Sequence, residues 1–423
     1  MRVLIITYYW PPSGGSGVQR WLKFTKYLSD FGIKPVIYTV DSPEYAVIDR
    51  SLEKEVSGDL EILRGGIWEP NKLLGRWGRR QKNASAGFLE SNPSWSERIL
   101  RFIRANFFIP DARSFWIKPS VKILSNYLRN NKIDVIITTG PPHSAHLIGL
   151  ALKREFGLKW VADFRDPWTS IDYFHKLPLT RRSRNKHLEL EREVLSSADR
   201  VVVVGEQMKE EFSSFSDAVR VIPNGYDTPE NENEMALDSE FTMTYAGLMN
   251  ADRNPESLWK VLGELVEENP EFAKDLKLRM VGSCSGEVLS SIEKNGLKQN
   301  LEYLGYQDHE QVSNYQCSAQ VLLLTVNKVP SAKGIVTGKI FEYMRARRPV
   351  MAIGPTDGDL AAILNETRCG TIVDFDDLSR MKEVLVVLYK EFKTGTLEVN
   401  SRNIDKYHRR NLTRELFEML KEM

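Results

Sequence analysis

Short apolar runs alternate with amphipathic stretches along the whole chain. Residues 3–7, 35–40, 134–139, 160–163 and 200–204 are mostly apolar and show no alternation, which predicts strands buried on both faces of a parallel sheet. Between them, 18–31 and 144–156 repeat their apolar residues at helical spacing. The pattern then begins again, with strands at 241–246, 277–281, 301–303, 319–324, 349–353 and 370–373 and helices at 256–268, 285–294, 338–347 and 378–392. Two consecutive series of this kind predict an α/β protein of two doubly wound domains.

The join is marked by "VIPNGYD", residues 221–227, where a strand runs into a Pro-Asn-Gly turn. The acidic, polar "TPENENEMALDSE" that follows has almost nothing to bury and reads as a linker. The domains are placed at 1–225 and 226–400. Residues 401–423 read as a charged helix with apolar positions at Leu412, Leu416, Phe417 and Leu420. That helix is expected to pack back across the join towards the N-terminal domain.

Composition narrows the class only a little. A hydrophobic fraction of 42% and a charged fraction of 27% are those of a globular protein, and 423 residues are too many for one ordinary core. A formal net charge of +1 gives no general pull towards nucleic acid or membrane. Cys284, Cys317 and Cys369 are too scattered for a zinc site or a disulfide framework and suggest a reducing compartment. The apolar run at 3–7 is too short for a signal peptide, and no stretch is long enough to span a bilayer. A cytoplasmic location is expected, with any membrane contact peripheral, on the inner face.

The candidate chemistry begins at "KGIVTGKIFEYMRARRPVMAIGP", residues 333–355. With Thr337 as N-cap, the helix starts at Gly338 and puts Lys339 in its first turn, where a cation opposes the helix dipole. Glu342 lies three residues on, on the same face. A bound phosphate would reverse the arithmetic, because free N–H groups, dipole and ammonium all attract an anion, and Glu342 could accept bonds from ribose hydroxyls. A plain surface Lys–Glu pair gives the same string. In the first domain, "PPSGGSGVQR" joins a strand to a helix, and Gly14, Gly15 and Gly17 allow close backbone approach. Arg20 stands where a dinucleotide fingerprint needs its third glycine, so no NAD site is expected. "VADFRDPW" sets Arg165, Asp166 and Trp168 at a strand's carboxyl end, where α/β ligands bind, although a buried Arg–Asp pair reads alike. His143 and His146 lie at another strand end and also suit capping or core roles. Asp357-Gly-Asp359 and Asp374-Phe-Asp376 are short, common strings; Asp359 is expected to cap a helix, and no metal is expected. Finally, 72–109 is basic and aromatic. Within "WSERILRFIRANFFIP", Ile99, Phe102, Ile103 and Phe107 share a helical face that Arg98, Arg101 and Arg104 largely avoid. Such a helix can lie in a lipid interface or pack on its own domain.

Taken in order, "YYWPPSGGSGVQR", "VIITTGPPHSAHLIGLAL", "WVADFRDPW", "EREVLSSADRVVVV", "VIPNGYD", "YAGLMNADRNPESLWKVL" and "GKIFEYMRARRPVMAIGP" resemble the family 4 glycosyltransferases of the GT-B fold, of bacterial cell-surface polysaccharide type. The resemblance implies two Rossmann-like domains facing a central cleft, the first for acceptor and the second for a nucleotide-diphosphate sugar. It implies ribose binding by Glu342, and donor phosphates near Arg253, Lys339, Thr337, Gly338 and the Gly15–Gly17 loop. Tyr306 and Gln307 are expected near the base. Gly14, Arg20, His143, Arg165, Asp166 and Trp168 are expected on the acceptor side, with Arg165 and Asp166 beside the reacting groups. Transfer to a glycan or lipid-linked acceptor is expected to retain configuration, with no cofactor and no metal. The family's usual glutamate eight residues before Glu342 is Gly334 here, so the sugar is expected to meet Lys333, Thr337 or backbone groups. UDP-N-acetylglucosamine 2-epimerases share the fold, and a catalytically silent nucleotide-binding subunit is the other alternative.

Overall fold

A computed structural model describes residues 1–41, 43, 45, 47–68, 94–227 and 235–423. The chain divides into two compact units, one of residues 1–224 with 409–423, the other of 225–408. The basic and aromatic stretch 72–93 lies outside the described residues, as does 228–234 of the linker.

The first unit is a sheet of seven parallel strands. Its elements run β1 (Arg2–Ile6), α1 (Ser16–Asp30), β2 (Lys34–Asp41), β3 (Glu61–Gly66), α2 (Trp95–Phe107), α3 (Ile117–Asn130), β4 (Val135–Gly140), α4 (Ser144–Phe156), β5 (Lys159–Phe164), α5 (Arg181–Ser197), β6 (Arg200–Val203), α6 (Glu206–Phe212) and β7 (Val219–Val221). The spatial order β3-β2-β1-β4-β5-β6-β7 reverses direction between β1 and β4. Strand pleating sends alternate residues to opposite faces. Val3 and Ile5 of β1 therefore pack with Val18 and Leu22 of α1, while Leu4 and Ile6 pack with Leu124 of α3 and Ile148 of α4. Each such fully buried aliphatic side chain contributes about 1.5–3 kcal/mol, which is why central strands are apolar without alternation.

The second unit repeats the plan with six parallel strands. Its elements are β8 (Phe241–Ala246), α7 (Glu256–Glu268), α8 (Pro270–Asp275), β9 (Leu276–Val281), α9 (Gly286–Lys294), β10 (Leu301–Gly305), α10 (His309–Ser318), β11 (Val321–Thr325), α11 (Lys339–Ala346), β12 (Val350–Ile353), α12 (Asp359–Thr367), β13 (Gly370–Val373) and α13 (Leu378–Thr394). The order β10-β9-β8-β11-β12-β13 reverses between β8 and β11. The last helix, α14 (Arg409–Lys421), belongs to the first unit, where Leu412, Leu416 and Leu420 join the α1 face of the core and Phe417 stacks on Phe31 at 5.3 Å.

Two helix starts differ from expectation. Gly338, not Thr337, is the N-cap of α11, and Thr337 Oγ1 is buried without a partner. Gly358, not Asp359, caps α12, because Asp359 already has helical geometry as its first residue. In both cases a glycine one position away takes the boundary, and the polar residue is left to other contacts.

Candidate active site

In the second unit, candidate groups gather at the carboxyl ends of β8 and β11, on either side of the point where strand order reverses. Tyr245, near the end of β8, donates from its hydroxyl to the Leu248 carbonyl at 2.7 Å. Arg253 Nη1 donates to the same carbonyl at 3.1 Å, and its Nε donates to Asn327 Oδ1 at 2.9 Å. Lys339 reaches in from the first turn of α11 and donates to Tyr245 Oη, with its ammonium 4.0 Å from the centroid of that ring. The ammonium and the guanidinium are thus held by one tyrosine and one carbonyl. Among the described residues no carboxylate pairs with Lys339. Burial, and then the charge of Arg253, push its pKa well below that of an ordinary lysine, against a weaker opposite pull from Glu342.

This arrangement depends on a missing side chain. Gly247 has φ 118°, and a Cβ there would lie 2.6 Å from Lys339 Cε and 3.0 Å from Nζ. The lysine stem occupies that space. Glu342, one turn deeper in α11, accepts from Gln316 Nε2 at 3.2 Å. Gln316 is buried and its Oε1 meets Arg345 Nη2 at 3.4 Å, so α10 fixes one oxygen of the carboxylate. Tyr306 is 76% exposed just after β10, leaving a bare ring for stacking, and Gln307 turns back to the Leu304 carbonyl at 2.9 Å. Lys333 is exposed and pairs with Asp357. Asp376 is likewise paired, with Lys328 at 2.6 Å. Among the described residues no three His, Cys, Asp or Glu side chains gather as a metal site requires.

In the first unit, Arg165 follows β5 and spans the loops on both sides of its reversal point. Its Nη1 donates to the Gly17 carbonyl at 3.0 Å, and its Nη2 donates to that of Pro141. A Cβ on Gly17 would sit 3.0 Å from Arg165 Nη1 and 3.2 Å from the Tyr9 ring, so a side chain there would make both give by a few tenths of an ångström. Gly15 caps α1 with φ 85°, and Gly14 donates its amide to Val47 O at 2.9 Å. Asp166 is exposed beside Arg165. Trp168 is buried, stacked on His143 at 4.8 Å with the rings 3° from parallel, and donates from Nε1 to His187 Nδ1 at 3.0 Å. Glu191, one turn after His187 on α5, accepts from the amides of Trp168 at 3.2 Å and Thr169 at 3.1 Å.

Three acceptor-side expectations take another form. Arg20 is 3% exposed and pairs with Asp163 at 2.8 Å, while donating to the carbonyls of Ile222 and Pro223, each at 2.8 Å. It holds residues 222–224 from inside rather than facing an acceptor. His143 is buried under Trp168, and burial drives its pKa well below the ordinary histidine value; His146 is pushed down to about 3 for the same reason. Both rings are packed inside the first unit, where burial favours the neutral form. Trp168 is itself interior, so it shapes the loop rather than offering a surface. Sequence reasoning did not name Tyr245, Asn327, Gln316, His187 or Glu191. The available signal for the last two was their i, i+4 spacing on one face of an otherwise charged helix.

Two doubly wound units, each with its strand order reversing beside the candidate groups, are the plan of the GT-B glycosyltransferase fold. Residues 73–230 match the family described as Glycosyltransferase Family 4, and 240–391 match Glycosyl transferases group 1. The chain belongs to the family 4 glycosyltransferases. Solved structures share the fold at low identity. Sucrose-phosphate synthase from Thermosynechococcus elongatus is 16% identical, with a TM-score of 0.60 over 100% of this chain and 97% of that one. Anabaena HepE, solved in complex with UDP-glucose, is 12% identical, with a TM-score of 0.61 over 100% of both chains. WaaG, a glycosyltransferase involved in lipopolysaccharide biosynthesis, is 13% identical, with a TM-score of 0.55 over 99% and 98%. No curated protein sequence matches the chain.

Proposed function

We propose that this glycosyltransferase moves a sugar from a nucleotide-diphosphate sugar to a hydroxyl of a glycan or lipid-linked acceptor, in cell-surface polysaccharide synthesis. Retention of configuration and independence of metal are part of the reading. The observation that carries it is the Lys339–Tyr245–Arg253 group: Lys339, at a helix start, donates to the Tyr245 hydroxyl, Arg253 shares the Leu248 carbonyl with that hydroxyl, and among the described residues no carboxylate pairs with the lysine. Such a group is poorly satisfied by itself and well satisfied by a pyrophosphate, whose oxygens would also meet the free amides opening α11. When the sugar–oxygen bond breaks, negative charge grows on the diphosphate, and the Arg253 guanidinium, together with Lys339 once the bound diphosphate has drawn a proton onto its amine, would stabilise it there. Glu342, with one oxygen fixed by Gln316, has its remaining acceptor capacity for ribose hydroxyls. Lys333 and the 334–337 backbone would meet the sugar where the usual glutamate is absent. Arg165 and the exposed Asp166 would orient the acceptor hydroxyl for attack on the same face that the diphosphate leaves. The UDP-glucose complex of HepE and the lipopolysaccharide role of WaaG support the donor and acceptor classes.

The test is calorimetric binding of UDP-, GDP- and dTDP-sugars to wild-type and Glu342→Ala protein, with and without EDTA. One sugar nucleotide should bind, the variant should bind it about 10- to 100-fold more weakly, and EDTA should change neither binding nor turnover. Equal affinities in both proteins would remove Glu342 from the site. Activity lost to EDTA and restored by manganese would overturn metal independence.

A further inference from the structure

The second unit has a cavity that donor binding does not use. It measures about 290 Å³ and lies at the amino edge of the sheet, bounded by the starts of β12 and β13, the end of α12, one side of α13 and residues 398–400. That is the small end of the range for ligand pockets, suited to a small molecule. The Lys339–Tyr245–Arg253 group lies towards the carboxyl edge of the same sheet. Helix α12 runs from one edge to the other, and its nine residues advance about 13 Å, so no small ligand touches both places.

The walls of the cavity are tied down. The Arg402 amide donates to the Thr367 carbonyl at 2.7 Å, and the buried Arg348 donates to the carbonyls of Ala319 at 2.7 Å and Leu397 at 3.5 Å. Residues 397–402 are thereby fastened both to the end of α12 and to the interior. The polar groups on the lining are Asn365, Arg368, Glu391, Glu398 and Asn400. Arg368 caps α12 with φ 52°, a left-handed backbone that sets its side chain at the lip. Among the described residues none of these five side chains has a hydrogen-bond or ion-pair partner, and Glu398 feels only the charge of Arg348.

A guanidinium only donates, a carboxylate only accepts, and an amide does both. An anion would meet Arg368 and be repelled by Glu391 and Glu398, and a cation would have the opposite fault. A zwitterionic amino acid would use one charge of each sign, and ion pairs this open to water contribute little. A sugar ring has no net charge and carries hydroxyls around its rim, each able to donate and to accept. Its C–H faces also suit Leu364 and Leu388, which line the same space. We propose that this cavity is a second, non-catalytic saccharide site, which takes a neutral mono- or disaccharide unit. Arg368 donates to ring hydroxyls, Glu391 and Glu398 accept from them, and the two asparagines do either. Such a site holds a glycan at a point remote from transfer and raises its concentration around the enzyme. That consequence rests on the glycan acceptor proposed above; the site itself does not.

The experiment is saturation-transfer NMR on the full chain with maltose, cellobiose, lactose and chitobiose, and with leucine and lysine as the amino-acid arms. At least one disaccharide should bind the wild-type chain saturably, with a Kd of about 1–10 mM. Arg368→Asn removes the guanidinium and keeps a residue that tolerates the left-handed backbone. That variant and Glu391→Ala should each weaken disaccharide binding about fivefold or more, with wild-type thermal unfolding and wild-type sugar-nucleotide affinity. Glu342→Ala should leave disaccharide binding unchanged. No saturable binding up to about 50 mM, undiminished binding by both cavity variants, or loss of binding in Glu342→Ala would each overturn the site. Binding of the amino acids but of no disaccharide would overturn its chemistry. Absence of sugar-nucleotide binding by the wild-type chain would instead sink the donor reading and leave the cavity assignment standing.

Discussion

Lys339→Met is the sharpest perturbation of the donor site, because methionine keeps an unbranched stem under Gly247 and removes the charge. The lysine makes no ion pair among the described residues, so the variant should unfold within about 1 kcal/mol of wild type, or slightly later. A bond between charged partners contributes about 1.5–3 kcal/mol, so affinity for the sugar nucleotide should fall about 10- to 150-fold. Turnover should fall further, by about 10²–10³, because charge on the diphosphate grows towards the transition state. A third readout comes from the proton. The folded pKa of Lys339 lies well below the ordinary value, so above that depressed pKa the free protein carries a largely neutral amine. An arriving pyrophosphate favours the charged form, so binding should take up a proton at such pH and none well below it. Over the window between the depressed and ordinary values the unfolded chain holds the extra proton, and this group's contribution to stability therefore rises with pH. Calorimetry in two buffers of different ionisation heat measures the uptake. Unchanged affinity and turnover in Lys339→Met, or the same proton uptake as wild type, would refute the reasoning.

Two further outcomes concern the first unit. Glu191→Gln should cost about 1.5–3 kcal/mol in urea unfolding, since an amide cannot accept all the bonds given by Trp168 and Thr169. It should lower turnover more than sugar-nucleotide affinity, and the reverse split would remove α5 from the acceptor side. Arg20→Met should cost about 3–5 kcal/mol, because it strands the buried Asp163 carboxylate with only Trp21 and Thr139 as donors. A midpoint within error of wild type would show that the pair is not part of the stable core.

The strands were legible because a parallel sheet covered on both faces is built mainly of apolar residues with threonine as the tolerated polar one, and β1, β4, β8 and β11 follow that rule. Strand β3 was not, since "EILRGG" lies at a sheet edge, where Glu61 and Arg64 cost nothing. The helix of Lys339 and Glu342 was visible as local chemistry in the wrong place. What lies around it was not visible, because Tyr245 and Lys339 are 94 residues apart and nothing in either neighbourhood announces the other. The same distance problem misdirected Arg20. Its glycine-rich surroundings suggest a ligand loop, whereas its partner Asp163 is 143 residues away and fully internal. Helix boundaries at Thr337 and Asp359 were missed by one residue, as expected where a polar side chain and a glycine compete for the cap.

The chain enters the second unit at Gly225 and leaves it at His408, and the two passages are stitched together. The Tyr226 amide donates to the Tyr407 carbonyl at 3.1 Å, and the Tyr226 and His408 rings meet edge to face at 5.6 Å. Residues 225–408 are therefore an insert whose two ends meet at one seam. Such a module is expected to fold when residues 225–408 are produced alone, and a cooperative unfolding transition of that piece would show it.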